Sequence, residues 1–121
     1  MIGARGFLGS FITRSSSRYQ VVRADRTRES GETDLVVDVA EAASVRAAID
    51  EVQPDAVLLL AAISDIDRCQ REPELATAVN LHGAEHIANA CACNGARLLF
   101  TSTGAVLMVL KSLHQWRANL D

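Results

Sequence analysis

Hydrophobic residues recur along the chain with two periods, one suited to helices and one to buried strands. From residue 3 the chain reads Gly3-Ala4-Arg5-Gly6-Phe7-Leu8-Gly9, then Ser10 to Arg14. This pattern predicts a glycine loop opening a short helix, with Phe7, Leu8, Phe11 and Ile12 on its buried side and Ser15-Ser16-Ser17 ending it. Two β-branched runs follow, Tyr19 to Ala24 closed by Asp25-Arg26, and Asp34 to Val39. Both read as short strands. Over about 41–53, Val45, Ala48, Ile49 and Val52 sit at helical spacing, and Gln53-Pro54-Asp55 stops the helix. Ala56 to Ala62 is almost continuously apolar, as expected of a strand covered on both faces. A long helix is predicted over about 74–94, its inner face Leu75, Ala78, Val79, His82, Gly83, His86, Ile87 and Ala90, with Asn94-Gly95 as its stop. Ala96 to Thr101 is a further strand. Strands rich in Val and Leu that alternate with helices predict an α/β fold built on a parallel sheet.

Composition narrows the class. The 121 residues are 49% apolar and 22% charged, enough to bury the core of one domain. A net charge of −3 argues against a basic nucleic-acid binder, so no nucleic-acid partner is expected. The charge is uneven, however. Residues 1–30 hold six Arg against Asp25 and Glu29, whereas residues 31–121 hold six basic against thirteen acidic groups. A basic first quarter on an acidic chain suits a local anionic ligand. No apolar run reaches the ~18 residues of a membrane span, and a glycine loop opening at residue 3 leaves no room for a leader, so no membrane association is expected. The three Cys (69, 91 and 93) lack a disulfide-framework spacing and point to a reducing cytoplasm.

The candidate chemistry begins at the loop. Gly3, Gly6 and Gly9 form Gly-x-x-Gly-x-x-Gly, where a tight turn needs unusual dihedrals and a Cβ would keep the backbone from a pyrophosphate. The helix that follows aims its free N–H groups at the same anion. Asp25, which closes the next strand, is placed to accept ribose hydroxyls. Arg26 and Arg28 beside it could instead meet a 2′-phosphate, so both NAD and NADP stay open; a solvated loop explains these arginines equally well.

With those residues in view, the chain resembles the extended short-chain dehydrogenases/reductases: the nucleotide-sugar reductases, epimerases and dehydratases. Gly3 to Gly9 resembles their loop, Asp38-Val39 the adenine-holding pair, and Leu60-Ala61-Ala62 the turn along the cofactor. Val79-Asn80-Leu81-His82-Gly83 resembles their Val-Asn-x-x-Gly, and Phe100 to Thr103 the strand end carrying the catalytic Ser/Thr. Ala61 to Asn80, with Ser64, Ile66-Asp67 and Glu72 to Ala76, is most similar to the dTDP-4-dehydrorhamnose reductase branch, with Gln70 where Glu is common. The resemblance implies a Rossmann-type, doubly wound parallel sheet and hydride transfer between NAD or NADP and a keto-sugar nucleotide. It assigns Gly3, Gly6, Gly9 and the backbone of Phe7 and Leu8 to the pyrophosphate, and Asp25 or Arg26 to the ribose or its phosphate. Asp38 and Val39 fall to the adenine, Ala61 and Ala62 to the cofactor flank, and Thr103 to catalysis.

Other features depart from that pattern. The family's Tyr-x-x-x-Lys is absent, for Tyr19 is the sole Tyr and Lys111 the sole Lys. Only Met1-Ile2 precede the loop. The expectation is therefore an incomplete fold: a partial NAD(P)-binding domain over 1–104, its first strand largely missing and its C-terminal substrate region missing, and a tail over 105–121 unlike the family. Val106, Val109, Leu110, Leu113, Trp116 and Leu120 make that tail an amphipathic helix, with Trp116 in a core or interface. A lost central strand should leave its neighbours' edges unpaired. Such a chain reads as a reductase lacking its acid catalyst, with a non-catalytic nucleotide-binding module or gene remnant, and an epimerase or dehydratase, as alternatives. His82 and His86 have two-His metal spacing but no third ligand, so a core or subunit-interface role is expected, with self-association through the 74–94 helix and no metal. Cys91 and Cys93 are expected to be buried thiols. Asp65, Asp67, Arg68 and Arg71 read as a solvated helix approach, with substrate contact only by analogy.

Overall fold

The computed structural model describes residues 1–28, 31 and 33–102. Its elements run α1 (Phe7–Ser15), β1 (Ala24–Asp25), β2 (Leu35–Val36), α2 (Ala42–Val52), β3 (Ala56–Leu59), α3 (Ile66–Arg71), α4 (Pro73–Thr77), a π-helical turn (Ala78–His82), α5 (Gly83–Asn94) and β4 (Arg97–Phe100). Thr103, the domain boundary at 104 and the tail lie outside the described residues.

The strands form two parallel pairs, β1 with β2 and β3 with β4. Between them stands Ile2, bridged in parallel to Ala24 on one side and Leu59 on the other. Its N–H donates to the Leu58 carbonyl and its carbonyl accepts from Leu60 N–H, both at 2.9 Å. On the other side Gly3 N–H donates to the Ala24 carbonyl at 2.9 Å, and Ala24 N–H to the Met1 carbonyl at 2.8 Å. The spatial order is thus β2, β1, Ile2, β3, β4, all parallel: a small Rossmann-like sheet. The expected unpaired inner edges do not occur, because residues 1–3 offer donors and acceptors to both neighbours. The strands are shorter than the sequence runs: Tyr19 to Arg23, Asp34, Val37 to Val39, Leu60 to Ala62, Ala96 and Thr101 lie outside the regular ladders.

One face of the sheet carries α2 and α5. Val45 and Ile87 are fully buried, and they pack in one core with Val37, Val57, Leu59, Ile49, Ala90 and Cys91. α5 approaches the segment after β2 closely at Gly83, where a Cβ would lie 2.9 Å from Val39 Cγ2. Gln53, Asn94 and Asp50 latch the far ends of α2 and α5, with Gln53 Nε2 donating to Asn94 Oδ1 at 2.8 Å and Asn94 Nδ2 to Asp50 Oδ1 at 3.0 Å. Gly95, at φ 70°, ends α5 in the left-handed conformation, as Asn94-Gly95 predicts.

Several expectations fail here. Phe7 is 93% exposed and Leu8 and Phe11 are also exposed, so α1 does not bury the side proposed for it. Its one buried residue is Gly9, whose missing Cβ lets the helix sit on the Gly3 and Ala4 carbonyls. That backbone contact, rather than an apolar face, fixes the helix. The long helix is interrupted by the π turn, which shifts the phase of its inner face; His82 is exposed and pairs with Glu85 at 3.0 Å instead of entering the core. Cys93 is exposed, two positions past the buried stripe that holds Ile87, Ala90 and Cys91. Asp65 to Arg71 forms a helix rather than an approach to one.

Candidate functional site

The carboxyl ends of the strands open on a cavity of about 270 Å³. In an open parallel sheet this is where ligands bind, at the point where strand order reverses. Gly3, Gly6, Asp25, Arg26, Asp38, Val39, Ala61 and Ala62, all singled out from the sequence, line it together. Ile2, Val37, Leu60, Ile63, Arg68 and Val79 complete the wall.

The loop is built for close backbone approach. Gly3 has φ 87°, and a Cβ on it would stand 2.6 Å from Ala61 N and 2.9 Å from Leu60 C. Gly6 N–H donates to the Gly3 carbonyl at 3.2 Å, turning the chain into α1. Gly6 is also the N-cap of α1, where no side chain caps the helix and no acid lies in the first turn. The opening N–H groups of α1 are therefore left to an outside acceptor, and the positive end of the helix dipole faces the cleft mouth. Phe7, Leu8 and Gly9 do not line the cavity; the first two open the helix and Gly9 seats it.

Asp25 holds this loop to β1. Its Oδ2 accepts from Arg5 N–H at 3.1 Å and its Oδ1 from Arg26 N–H at 2.8 Å. Arg5 Nη1 reaches Thr27 Oγ1 across the same corner. Asp38 makes an Asx turn: Oδ1 accepts from Ala40 N–H at 3.0 Å, while Asp38 N–H donates to Ser44 Oγ at 3.0 Å. The turn leads into α2 and leaves Oδ2 for a ligand. His86 Nδ1 donates to the Val39 carbonyl at 2.9 Å, which fixes the proton on that nitrogen.

The β3 wall is clamped from the π turn. Ile63 N–H donates to Asn80 Oδ1 at 2.8 Å, and Asn80 Nδ2 donates back to the Ile63 carbonyl at 3.0 Å. Cys69 Sγ meets the same carbonyl at 3.4 Å. The π turn thus has a local use, since it carries both Asn80 and the cavity-lining Val79. At the end of β4, Thr101 Oγ1 donates to the Leu59 carbonyl at 3.3 Å. Sequence reasoning missed Ile63 as a wall residue; its only signal is its place one residue after the Ala61-Ala62 turn. No group of three metal-ligating side chains occurs among the described residues, and no described helix is long and apolar enough to cross a membrane.

A family model described as the RmlD substrate binding domain matches residues 1–111. The chain is 38% identical over 104 residues to a dTDP-4-dehydrorhamnose reductase of Streptomyces griseus, covering 86% of this chain and 32% of that protein. It is 35% identical to one of Mycobacterium tuberculosis over the same shares. Among solved structures, a Bacillus anthracis dTDP-4-dehydrorhamnose reductase in complex with NADP matches with a TM-score of 0.70 and 26% identity, over 80% of this chain and 32% of that one. A Thermus thermophilus UDP-glucose 4-epimerase complexed with NAD matches with a TM-score of 0.76 and 28% identity, over 85% and 36%. The chain spans about a third of the length of the curated relatives it matches.

Proposed function

The chain belongs to the RmlD substrate-binding-domain family, and from that premise we propose that it supplies the NAD(P)-binding part of a nucleotide-sugar oxidoreductase of the dTDP-4-dehydrorhamnose reductase type. The carrying observation is the single cleft in which Gly3, Gly6, Asp25, Arg26, Asp38, Val39, Ala61 and Ala62 meet. A dinucleotide fits those residues on two structural grounds. Gly6 presents no side chain at the uncapped end of α1, which suits a pyrophosphate, and among the described residues Asp38 keeps one carboxylate oxygen without a hydrogen bond in the same cleft.

In this reading the backbone N–H groups of Phe7, Leu8 and Gly9 hold the pyrophosphate. Asp25 orients the ribose, or Arg26 a 2′-phosphate. Asp38 accepts from the adenine amine, Val39 packs on the ring, and Ala61 and Ala62 leave room along the flank. The nicotinamide, when bound, supplies the hydride for a keto-sugar nucleotide. Thr103 follows β4 in sequence and would hydrogen-bond the substrate carbonyl. A second copy would pack on the exposed side of residues 74–94. The match to a UDP-glucose 4-epimerase favours a second reading, in which the same cleft serves an epimerase. With Tyr19 as the sole Tyr and exposed at 78%, the described residues bring no Tyr to the cleft, and the chain alone binds without turning over.

Titration of the purified chain with NADH and NADPH, followed by cofactor fluorescence, tests the proposal. Saturable binding is expected, and Gly6→Asp, which puts a carboxylate where the pyrophosphate lies, should abolish it. Absence of binding by the folded wild-type chain refutes the reading.

A further inference from the structure

The cleft holds one charged side chain that the reading above leaves unused. Arg68 lines the cavity from α3, in one wall set with Asp38, Val39, Ile63 and Val79. Its position is fixed by the backbone. Arg68 N–H donates to Asp65 Oδ1 at 2.8 Å, which caps α3, and Cys69 ties the helix to the Ile63 carbonyl that Asn80 also grips. The guanidinium is held far less firmly. Its Nε stands 3.4 Å from Glu72 Oε1, long for a charge-assisted bond, and both side chains are more than 40% exposed.

A cleft lined by a planar cation, apolar side chains and a carboxylate has a definite chemical preference. Val39, Ile63 and Val79 offer flat apolar contact, Asp38 Oδ2 accepts a hydrogen bond from an exocyclic amine, and a guanidinium stacks on a π face. An aminopurine satisfies all three. We propose that Arg68 caps the adenine end of the cleft, laying its guanidinium over the base of a bound adenine nucleotide. This rests on the dinucleotide reading and adds to it a residue that sets preference for the base.

Isothermal titration of the 121-residue chain with 5′-ADP, and separately with inorganic pyrophosphate, tests the cap. Arg68→Ala should weaken 5′-ADP by roughly 5- to 30-fold and leave pyrophosphate unchanged. Arg68→Lys, which keeps the charge but loses the planar fork, should recover less than half of that loss. Glu72→Gln, which removes the same ion pair, should bind 5′-ADP as the wild type does. Unchanged 5′-ADP affinity in a folded Arg68→Ala overturns the cap alone. Equal losses for 5′-ADP and pyrophosphate, or full rescue by Lys, overturn it too, because they assign Arg68 to a phosphate. A folded wild-type chain that binds neither NADH nor 5′-ADP removes the dinucleotide reading itself, and the cap with it.

Discussion

Gly3→Ala isolates what the glycine loop contributes to the cleft. Two separate costs meet at this residue. At φ 87° an L side chain is strained by about 1–2 kcal/mol. The new Cβ would also stand 2.6 Å from Ala61 N and 2.9 Å from Leu60 C. Those atoms are backbone and cannot swing aside, so the loop or the β3 end must shift, at about 1–3 kcal/mol. The total is roughly 2–5 kcal/mol, a large part of the 5–15 kcal/mol typical of a domain. Gly95→Ala is the internal control: its φ is 70°, but nothing lies within 4 Å of its Cβ position, so only a conformational cost of about 1 kcal/mol applies. Urea unfolding followed by circular dichroism reads the difference. With a slope of about 1–3 kcal/mol per molar urea, Gly3→Ala should lower the midpoint by about 1–2 M and Gly95→Ala by about 0.5 M. Equal midpoints for the two variants would show that the loop does not press on Ala61, and the close-approach account would fail.

Asn80→Ala removes both bonds to Ile63 and should speed amide exchange at Ile63 about tenfold in native-state measurements, with Asn80→Asp, which keeps the acceptor, in between; unaltered protection contradicts the clamp. Hydrogen bonds from the Arg23 side chain and backbone hold the Asp34 carboxyl down from 3.8 to about 2. A depressed folded value means that this stabilisation is complete above pH 3.8 and is lost as pH falls toward 2; because the Asp34 side chain is 40% exposed it amounts to about 1 kcal/mol or less. The gap in urea midpoint between wild type and Asp34→Asn should therefore be full at pH 5 and close by pH 2; a gap that widens on acidification has the wrong sign. Brief alkylation at neutral pH should label Cys93, which is exposed, and spare Cys91, whose thiol is buried and pushed up by desolvation; peptide mass spectrometry showing Cys91 labelled first would contradict the packing of α5.

How far these features could be read in advance depends on the range of the interactions that create them. The helix predicted over 41–53 is observed as Ala42–Val52, and the strand runs at 56–62 and 96–101 contain β3 and β4. Each is encoded by its own apolar period, so local pattern suffices. The long helix was legible from Leu75 to Ala90, yet its π turn was not: the turn carries Asn80, whose partner Ile63 lies 17 residues away in sequence, beyond the reach of local pattern. α3 spans six residues, too few to show a period; its signal was Asp65 as a cap three residues before Arg68. The exposure of Phe7, Leu8 and Phe11 was out of reach for another reason: an apolar stripe predicts burial, but which sheet face finds a cover is decided by the whole fold. The cleft was the most legible part. Glycines and short acidic pairs after strands are local devices, and the parallel topology then collects them at one end. Arg68 escaped because charge on a short polar segment reads as solvated until the cavity beside it is seen.

The same topology makes the cleft a seam. Among the described residues, the backbone bonds that join β1–β2 to β3–β4 run through Ile2 and its two neighbours, to Ala24 on one side and to Leu58 and Leu60 on the other. The cavity lies over that line: Asp25 and Arg26 come from one pair, Ala61 and Ala62 from the other, and Gly3 and Gly6 from the connection. The α2–α5 layer covers one face with Val45, Ile49 and Ile87, whereas Phe7, Phe11 and Leu99 stay exposed. Among the described residues, the seam is thus held by backbone hydrogen bonds, by the α2–α5 layer and by the seating of α1 on the Gly3 and Ala4 carbonyls. In the proposed reading, a dinucleotide that bridges Asp25 and Ala61 would act as a cross-brace between the two strand pairs. Its affinity for the folded state adds RT ln(1 + [L]/Kd), about 2.7 kcal/mol at a hundredfold excess over Kd. That gain is comparable to one large buried side chain. In the proposed reading, binding and the integrity of the sheet would therefore be coupled, because Gly3, whose missing Cβ lets the chain approach Ala61, belongs both to the cleft and to the join between the two strand pairs.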